Sequence, residues 1–171
     1  HSVPNPYMTG GGPYWCSFVI MASWQTYLNY GDSRLLERYY PMMQEWLGYV
    51  EKYSVDGLLR PWPNEWYRQW YLGDWLAPNG VDYKNTTSVD LVNNCVVSQS
   101  FDLMSKIATV LGKADDAAKY KTQHDEINKL IHKEFFNEKT ATYASGSQID
   151  MSYPLTVGVA EGDIAEQVKQ A

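Results

Sequence analysis

An all-α fold made of helical hairpins is predicted by three observations on this 171-residue chain. Apolar residues recur at three- and four-residue steps through most of the sequence. Glycine or a Gly-Asp pair closes the periodic runs at Gly31-Asp32, Gly112 and Gly158. The one long interruption, from about Ser54 to Thr87, is rich in tryptophan and proline rather than in alternating β-branched residues.

An irregular lead, 1–12, contains Pro4, Pro6 and the triplet Gly10-Gly11-Gly12. Pro13 then stands where a first-turn proline is favoured, so residues 13–30 read as one largely buried helix ending at Gly31. Asp32 or Ser33 caps a second helix with Leu35, Leu36, Tyr39, Tyr40, Met43, Trp46, Leu47 and Val50 on its apolar positions, bent at Pro41. A connection as short as Gly31-Asp32 makes the pair an antiparallel hairpin.

A third helix begins near Ser88, whose hydroxyl can cap free N–H groups, and runs through Leu91, Cys95, Phe101, Met104 and Ile107 to Gly112. A fourth covers about Ala114 to Phe136, with Ala117, Tyr120, His124, Ile127, Leu130, Ile131 and Phe135 inward. His124 and His132 read as solvated surface histidines. Thr140 to Ser147 reads as a loop with an edge of extended structure. A fifth helix follows Ser147-Gln148 and carries Pro154; a sixth pattern starts at Asp163. About three hairpins with long loops on one side describe half of an (α/α)6 toroid, although periodicity equally allows a plain bundle or a solenoid segment.

Composition narrows the function. The net charge of −6 and pI near 5.0 leave no basic stripe, so nucleic acid is not an expected partner. No apolar run approaches the roughly 20 residues that span a bilayer. Cys16 and Cys95 lack ligand or redox spacing, so no disulfide framework, metal site or cofactor is expected. The chain starts at His1 and stops at Lys169-Gln170-Ala171 inside a helical pattern, and therefore reads as a piece of one longer domain, 1–171, truncated at both ends. A half-toroid exposes helix faces, and self-association is expected.

The loop Pro61–Pro78 holds four of the seven tryptophans. Flat aromatic faces beside Asp, Glu, Arg and Asn suit sugars, whose rings offer apolar faces and hydroxyls. Trp66, Trp70, Asp74 and Trp75 are the first candidate group, set against a satellite aromatic cluster and, for Asp74, a backbone-capping role. Pro13-Tyr14-Trp15-Cys16-Ser17, a helix start after the glycine triplet, is the second. The third is Tyr143-Ala144-Ser145-Gly146-Ser147-Gln148, where an amide can pair with two hydroxyls; its plainer reading is a helix cap.

Trp15-x-x-Phe18, Trp24-x-x-Tyr27-Leu28-x-Tyr30-Gly31-Asp32, Leu72-Gly73-Asp74-Trp75-Leu76-Ala77-Pro78 and Gly146-Ser147-Gln148 stand in this order. Together they resemble the catalytic domain of bacterial α-L-rhamnosidases, family-78 glycoside hydrolases, from Pro13 to Val168. The resemblance implies a six-hairpin barrel and inverting hydrolysis of terminal α-L-rhamnosyl units of glycans. It places the general acid, a glutamate, upstream of this region and the general base, also a glutamate, downstream, so this chain holds no catalytic residue and is inactive alone. It also implies a periplasmic or secreted enzyme whose rhamnose pocket is lined at Trp15 and Trp75. The family usually has an aspartate two residues after the first tryptophan; here that position is Ser17. Other readings are a toroid glycosidase or glycan lyase of different specificity, a non-catalytic carbohydrate-binding helical module, and a half-barrel whose tryptophans only pack.

Overall fold

The computed structural model of the chain describes residues 12–73 and 86–171. Three helical hairpins account for most of it. The first pairs α2 (Phe18–Tyr30) with α3 (Arg34–Lys52), preceded by a single turn, α1 (Pro13–Cys16). The second pairs α5 (Thr86–Val110) with α6 (Ala114–Phe135), and the third pairs α7 (Gln148–Thr156) with α8 (Gly162–Gln170). Between the first two hairpins lie a two-strand ribbon, β1 (Ser54–Val55) with β2 (Leu58–Leu59), and a short helix, α4 (Glu65–Arg68). A second ribbon, β3 (Phe136–Asn137) with β4 (Thr142–Tyr143), precedes α7.

The tight turns follow from local chemistry. Gly31 leaves α2 at φ 66°, the left-handed value that glycine adopts without a Cβ penalty, and its N–H donates to Tyr27 O. Of the two expected caps for α3, Ser33 stands at the N-cap position, but the side chain that accepts a backbone N–H is that of Asp32, from Arg34 at 3.0 Å. The Ser33 hydroxyl turns instead to Glu37. Asp56-Gly57, at φ 52° and 80°, closes the β1–β2 ribbon in antiparallel register, Ser54 opposite Leu59.

Several expectations need correction. Residues 13–30 are not one helix: Ser17, at ψ −5°, separates α1 from α2. α5 starts at Thr86, two residues before Ser88, and the Ser88 hydroxyl is engaged across to α7 rather than capping its own helix. α6 ends at Phe135, because Phe136 enters β3. The histidines are half-buried. His124 Nδ1 lies 3.0 Å from Ser98 Oγ, and His132 Nδ1 lies 2.7 Å from the Tyr143 hydroxyl. Each fills a slot between elements that helical periodicity, which reads only its own helix, does not reveal.

α5 is the spine of the molecule. Leu91, Val92, Cys95, Val96, Met104 and Ile107 are fully or almost fully buried, and with them the polar Asn93, Asn94, Ser98 and Ser100, so the helix is enclosed on every side along 91–98. It packs on α6 in its own hairpin and on α2 and α7 from the other two. α2 runs parallel to α5. Tyr40, early in α3, donates to Asp116 just past the α5–α6 turn, while Trp46, further along α3, reaches back to Ser17 at the start of α2. α7 is parallel as well, since its first turn bonds to Ser88 and the Val157 and Gly158 carbonyls, just past its end, accept from Asn128. The first helices of the three hairpins therefore direct their N-termini the same way, and their tight turns the other.

Candidate functional site

The first turns of α5 bring two of the sequence motifs together. Gly73 has φ 60°, and a Cβ there would lie 2.9 Å from Val89 Cα and 3.3 Å from Val89 O. Both the backbone angle and this close approach require glycine, so the Leu72-Gly73 step is pinned to α5. One residue earlier, the Ser88 hydroxyl donates to Asp150 Oδ2 at 2.6 Å and lies 3.3 Å from Ser145 Oγ. Adjacent residues of one helix thus hold the Gly-Asp motif on one side and the Gly-Ser-Gln segment on the other. Asp74 and Trp75 follow Gly73 directly and lie outside the described residues.

The Gly-Ser-Gln segment is built around Asp150, which is fully buried. Ser145 donates to its Oδ2 from the backbone N–H at 3.0 Å and also from its hydroxyl. Ser147 is the N-cap of α7, its hydroxyl accepting from Asp150 N at 3.4 Å, so the helix-cap reading holds for Ser147. Gln148, the first residue of α7, is exposed. Ala144 at φ 44° and Gly146 at φ 73° set Ser145 between two left-handed residues. Asp150 and Ser88 were not singled out as candidates by the sequence reading. The signal that points to Asp150 is the Ser147-x-x-Asp150 spacing, the pattern of a capping box.

A second grouping joins Trp15 to Trp70. Gly12 is buried, and its carbonyl accepts from the N–H groups of Trp15 and Cys16 at 3.1 and 3.0 Å. A Cβ on Gly12 would lie 2.4 Å from Trp70 O and 3.0 Å from Trp15 Cδ1. The aromatic loop therefore rests its Trp70 backbone on the start of α1. Trp15 and Trp70 are both half-buried, and Tyr14 meets Trp15 edge to face at 5.5 Å. Trp66 belongs to α4, and its side chain lies outside what is described.

Trp62, in the same loop, serves the core. It is 1% exposed and enclosed by Trp46, Tyr49, Tyr53 and Tyr71 at centroid distances of 6.3, 5.1, 5.9 and 6.1 Å. The packing reading is correct for this tryptophan. Ser17 is likewise internal: its hydroxyl accepts from Trp46 Nε1 at 3.2 Å and from Ser100 Oγ at 3.0 Å, joining α3 and α5 to the α1–α2 break.

Several of the remaining polar groups inside the fold have structural partners. Asn94 bonds both backbone groups of Leu59, accepting from its N–H at 2.8 Å and donating to its carbonyl at 3.0 Å, which docks the β1–β2 ribbon on α5. Tyr71 donates to the same carbonyl at 3.0 Å, and burial above all, then the neighbouring Asp90 charge, pushes its phenol well up. Burial also raises the Asp90 carboxyl, opposed by hydrogen bonding from Tyr71 and by Arg60, which spans Asp90 at 3.6 Å and Glu134 at 3.1 Å. The Cys95 thiol is pushed up by burial and then by Asp150. Among the described residues no cluster of His, Cys, Asp or Glu could hold a metal ion.

A family model for the bacterial alpha-L-rhamnosidase 6 hairpin glycosidase domain matches residues 1–171. The alpha-L-rhamnosidase of Streptomyces avermitilis is 35% identical over 149 residues, covering 85% of this chain and 12% of that protein. The alpha-L-rhamnosidase of Formosa agariphila is 26% identical over 159 residues, covering 91% of this chain and 16% of its own length. The chain therefore spans less than a fifth of these curated relatives. Among solved structures, the alpha-L-rhamnosidase from Dictyoglumus thermophilum superposes with a TM-score of 0.80 at 28% identity, over 94% of this chain and 17% of that one. The alpha-L-rhamnosidase from Aspergillus terreus has a TM-score of 0.75 at 23% identity over 97% of this chain and 19% of its own, a likeness of fold. With its three hairpins, its motifs meeting on α5 and a family match along its whole length, the chain belongs to the bacterial alpha-L-rhamnosidase 6 hairpin glycosidase domain family.

Proposed function

We propose that this chain forms part of the catalytic domain of an inverting α-L-rhamnosidase and supplies one wall of its sugar-binding funnel. In this reading Trp15, Trp66, Trp70 and Trp75 offer faces for the sugar rings, while Asp74 and Gln148 bond hydroxyls. The observation that carries it is the convergence of the Gly-Asp and Gly-Ser-Gln motifs on Ser88 and Val89 of one helix. A sugar needs stacking surfaces and hydroxyl partners at one place, and two segments 70 or so residues apart in sequence are held there by one helix turn.

Inversion requires an acid to protonate the leaving oxygen and a base to activate water, about 6.5–9.5 Å apart across the bond. In this reading both glutamates lie in parts of the catalytic domain outside this chain, and the isolated chain orients sugar without turning it over. The partner is an oligo- or polysaccharide. No described helix is long and apolar enough to cross a membrane, and a periplasmic or secreted setting accords with a glycan substrate.

Self-association of the isolated chain is part of the same proposal, supported by the exposed Phe18, Leu28, Tyr30 and Met42 on the first hairpin. The test is hydrolysis of 4-nitrophenyl α-L-rhamnopyranoside, beside other aryl glycosides, by this chain and by the full-length protein. Turnover by the full-length protein alone is expected. Turnover by the isolated chain refutes the placement of the acid and base; a full-length protein active only on another glycoside refutes the specificity.

A further inference from the structure

We propose that Asp150 is a positioning residue, holding the 145–148 segment against the first turn of α5 and thereby aiming the Gln148 amide at bound sugar. The inference rests on the sugar-binding reading above and assigns a role within it to a residue that makes no sugar contact.

Asp150 is fully buried, yet it forms no ion pair among the described residues, and its Oδ1 has no hydrogen-bond partner there. A carboxylate in such a place costs stability, and an apolar residue of similar size would pack it more favourably. Its other oxygen explains the placement. Oδ2 gathers the Ser145 N–H, the Ser145 hydroxyl and the Ser88 hydroxyl, three donors from two elements far apart in the chain. The positive end of α7 favours the charge, because Asp150 lies in the first turn of that helix.

The geometry of the segment shows what those bonds are needed for. Ser145 lies between Ala144 at φ 44° and Gly146 at φ 73°. A non-glycine residue in the left-handed region persists only where its surroundings over-determine it. On one side of Ala144, its own N–H is tied to Phe135 O at 2.9 Å; on the other, the Asp150 bonds fix Ser145. Remove the carboxylate and Ser145 loses its two bonds and the start of α7 its tie to Ser88, while the Ala144 N–H stays on Phe135 O and the Gly146 N–H on Tyr143 O at 2.8 Å. Gln148, two residues before Asp150 at the start of α7, then has no fixed distance from α5, so its amide loses a defined approach. Ser88, the α5 end of the bridge, adjoins Val89, on which Gly73 rests, so the same turn sets the segment's distance from the Gly-Asp motif.

The test uses the full-length protein with Asp150→Ala and Asp150→Asn, read by steady-state turnover of 4-nitrophenyl α-L-rhamnopyranoside and by backbone hydrogen exchange. Asp150→Ala is expected to raise KM roughly tenfold with kcat changed less than about threefold, the signature of lost ground-state and transition-state binding alike. Exchange should quicken about tenfold at residues 145–148 and stay as in the wild type in α5 and α6. Asp150→Asn keeps an acceptor for Ser145 N–H and should recover most of both effects.

Wild-type KM and wild-type loop exchange in Asp150→Ala overturn the proposal, as does faster exchange spread through α5 and α6, which marks a purely structural role. A fall in kcat at constant KM also overturns it. If the wild-type protein turns over no rhamnoside, the functional reading fails by itself, and the exchange pattern decides for or against Asp150. Should Asp150→Ala not fold, Ser88→Ala decides in its place. It removes one donor and keeps the carboxylate, and smaller changes of the same direction, confined to 145–148, are expected.

Discussion

Replacing Gly73 by alanine separates two reasons for a glycine at the entry to the Asp74-Trp75 segment. The first is the backbone angle of 60°, which costs an L-residue about 1–2 kcal/mol. The second is steric: the new methyl would lie 2.9 Å from Val89 Cα, a backbone atom of a buried helix that cannot swing aside. Forced overpacking of this kind costs about 1–3 kcal/mol. Gly31→Ala is the control, because Gly31 has the same kind of angle, 66°, and nothing within 4 Å of the added methyl. Urea unfolding followed by tryptophan fluorescence should therefore place Gly73→Ala about 2–5 kcal/mol below the wild type and Gly31→Ala only about 1–2 below it, at an unchanged slope. Gly73→Ala should also weaken sugar binding, since the displaced backbone carries Asp74 and Trp75. Equal losses in the two variants, within about 0.5 kcal/mol, would refute the packing of Gly73 on α5.

Ser17→Asp, which installs the residue usual in the family, is expected to lower the thermal midpoint sharply, at a cost of about 3 kcal/mol or more, because the carboxylate enters a fully buried site built for a hydroxyl. Asn94→Leu should cost about 1–3 kcal/mol in chemical denaturation, since it strands the buried N–H of Leu59 while Tyr71 still serves the carbonyl. Asp90 carries a pH prediction. Its carboxyl ionises at higher pH in the folded state than in the unfolded chain, so its cost to folding is fully present at neutral pH and disappears as pH falls through the folded value toward the unfolded 3.8. Asp90→Asn should stabilise the protein at pH 7 and remove that rise in stability on acidification, measured by unfolding between pH 7 and 4. The isolated chain at high concentration should sediment faster than a monomer; a monomer throughout the range would count against the exposed first-hairpin face as an associating surface.

The hairpins were legible because their signals are local. Helical spacing, Gly31 and Gly112 as stops, and Asp56-Gly57 as a turn each act within a few residues of chain. The break at Ser17 was not legible, since it answers to Trp46 and Ser100, residues distant in sequence whose side chains meet its hydroxyl. The same holds for His124 and His132, whose partners sit on α5 and β4. Among the candidate residues, composition could not separate Trp62, sealed among four aromatic rings, from Trp70, half-exposed on the same loop. The close approaches of Gly73 to Val89 and of Gly12 to Trp70 O were not legible, because what each glycine meets is a tertiary fact. Asp150 escaped for a related reason: its distinguishing property is burial without a cation, and no linear pattern displays that.

The shared direction of α2, α5 and α7 divides the molecule into two rims with different evolutionary freedom. On one rim the chain reverses within a few residues, at 31–33 and 111–113, where an insertion would shift a helix relative to its partner and disturb the interior. On the other rim the described parts of the connections that follow α3 and α6 hold ribbons and a short helix, and a change of length there is not passed through a tight turn. In the proposed sugar-binding reading, a lineage can rewrite the second rim to suit a new glycan while the first keeps the hairpins folding as before, and transplanting the connection after α3 is the natural way to test that freedom.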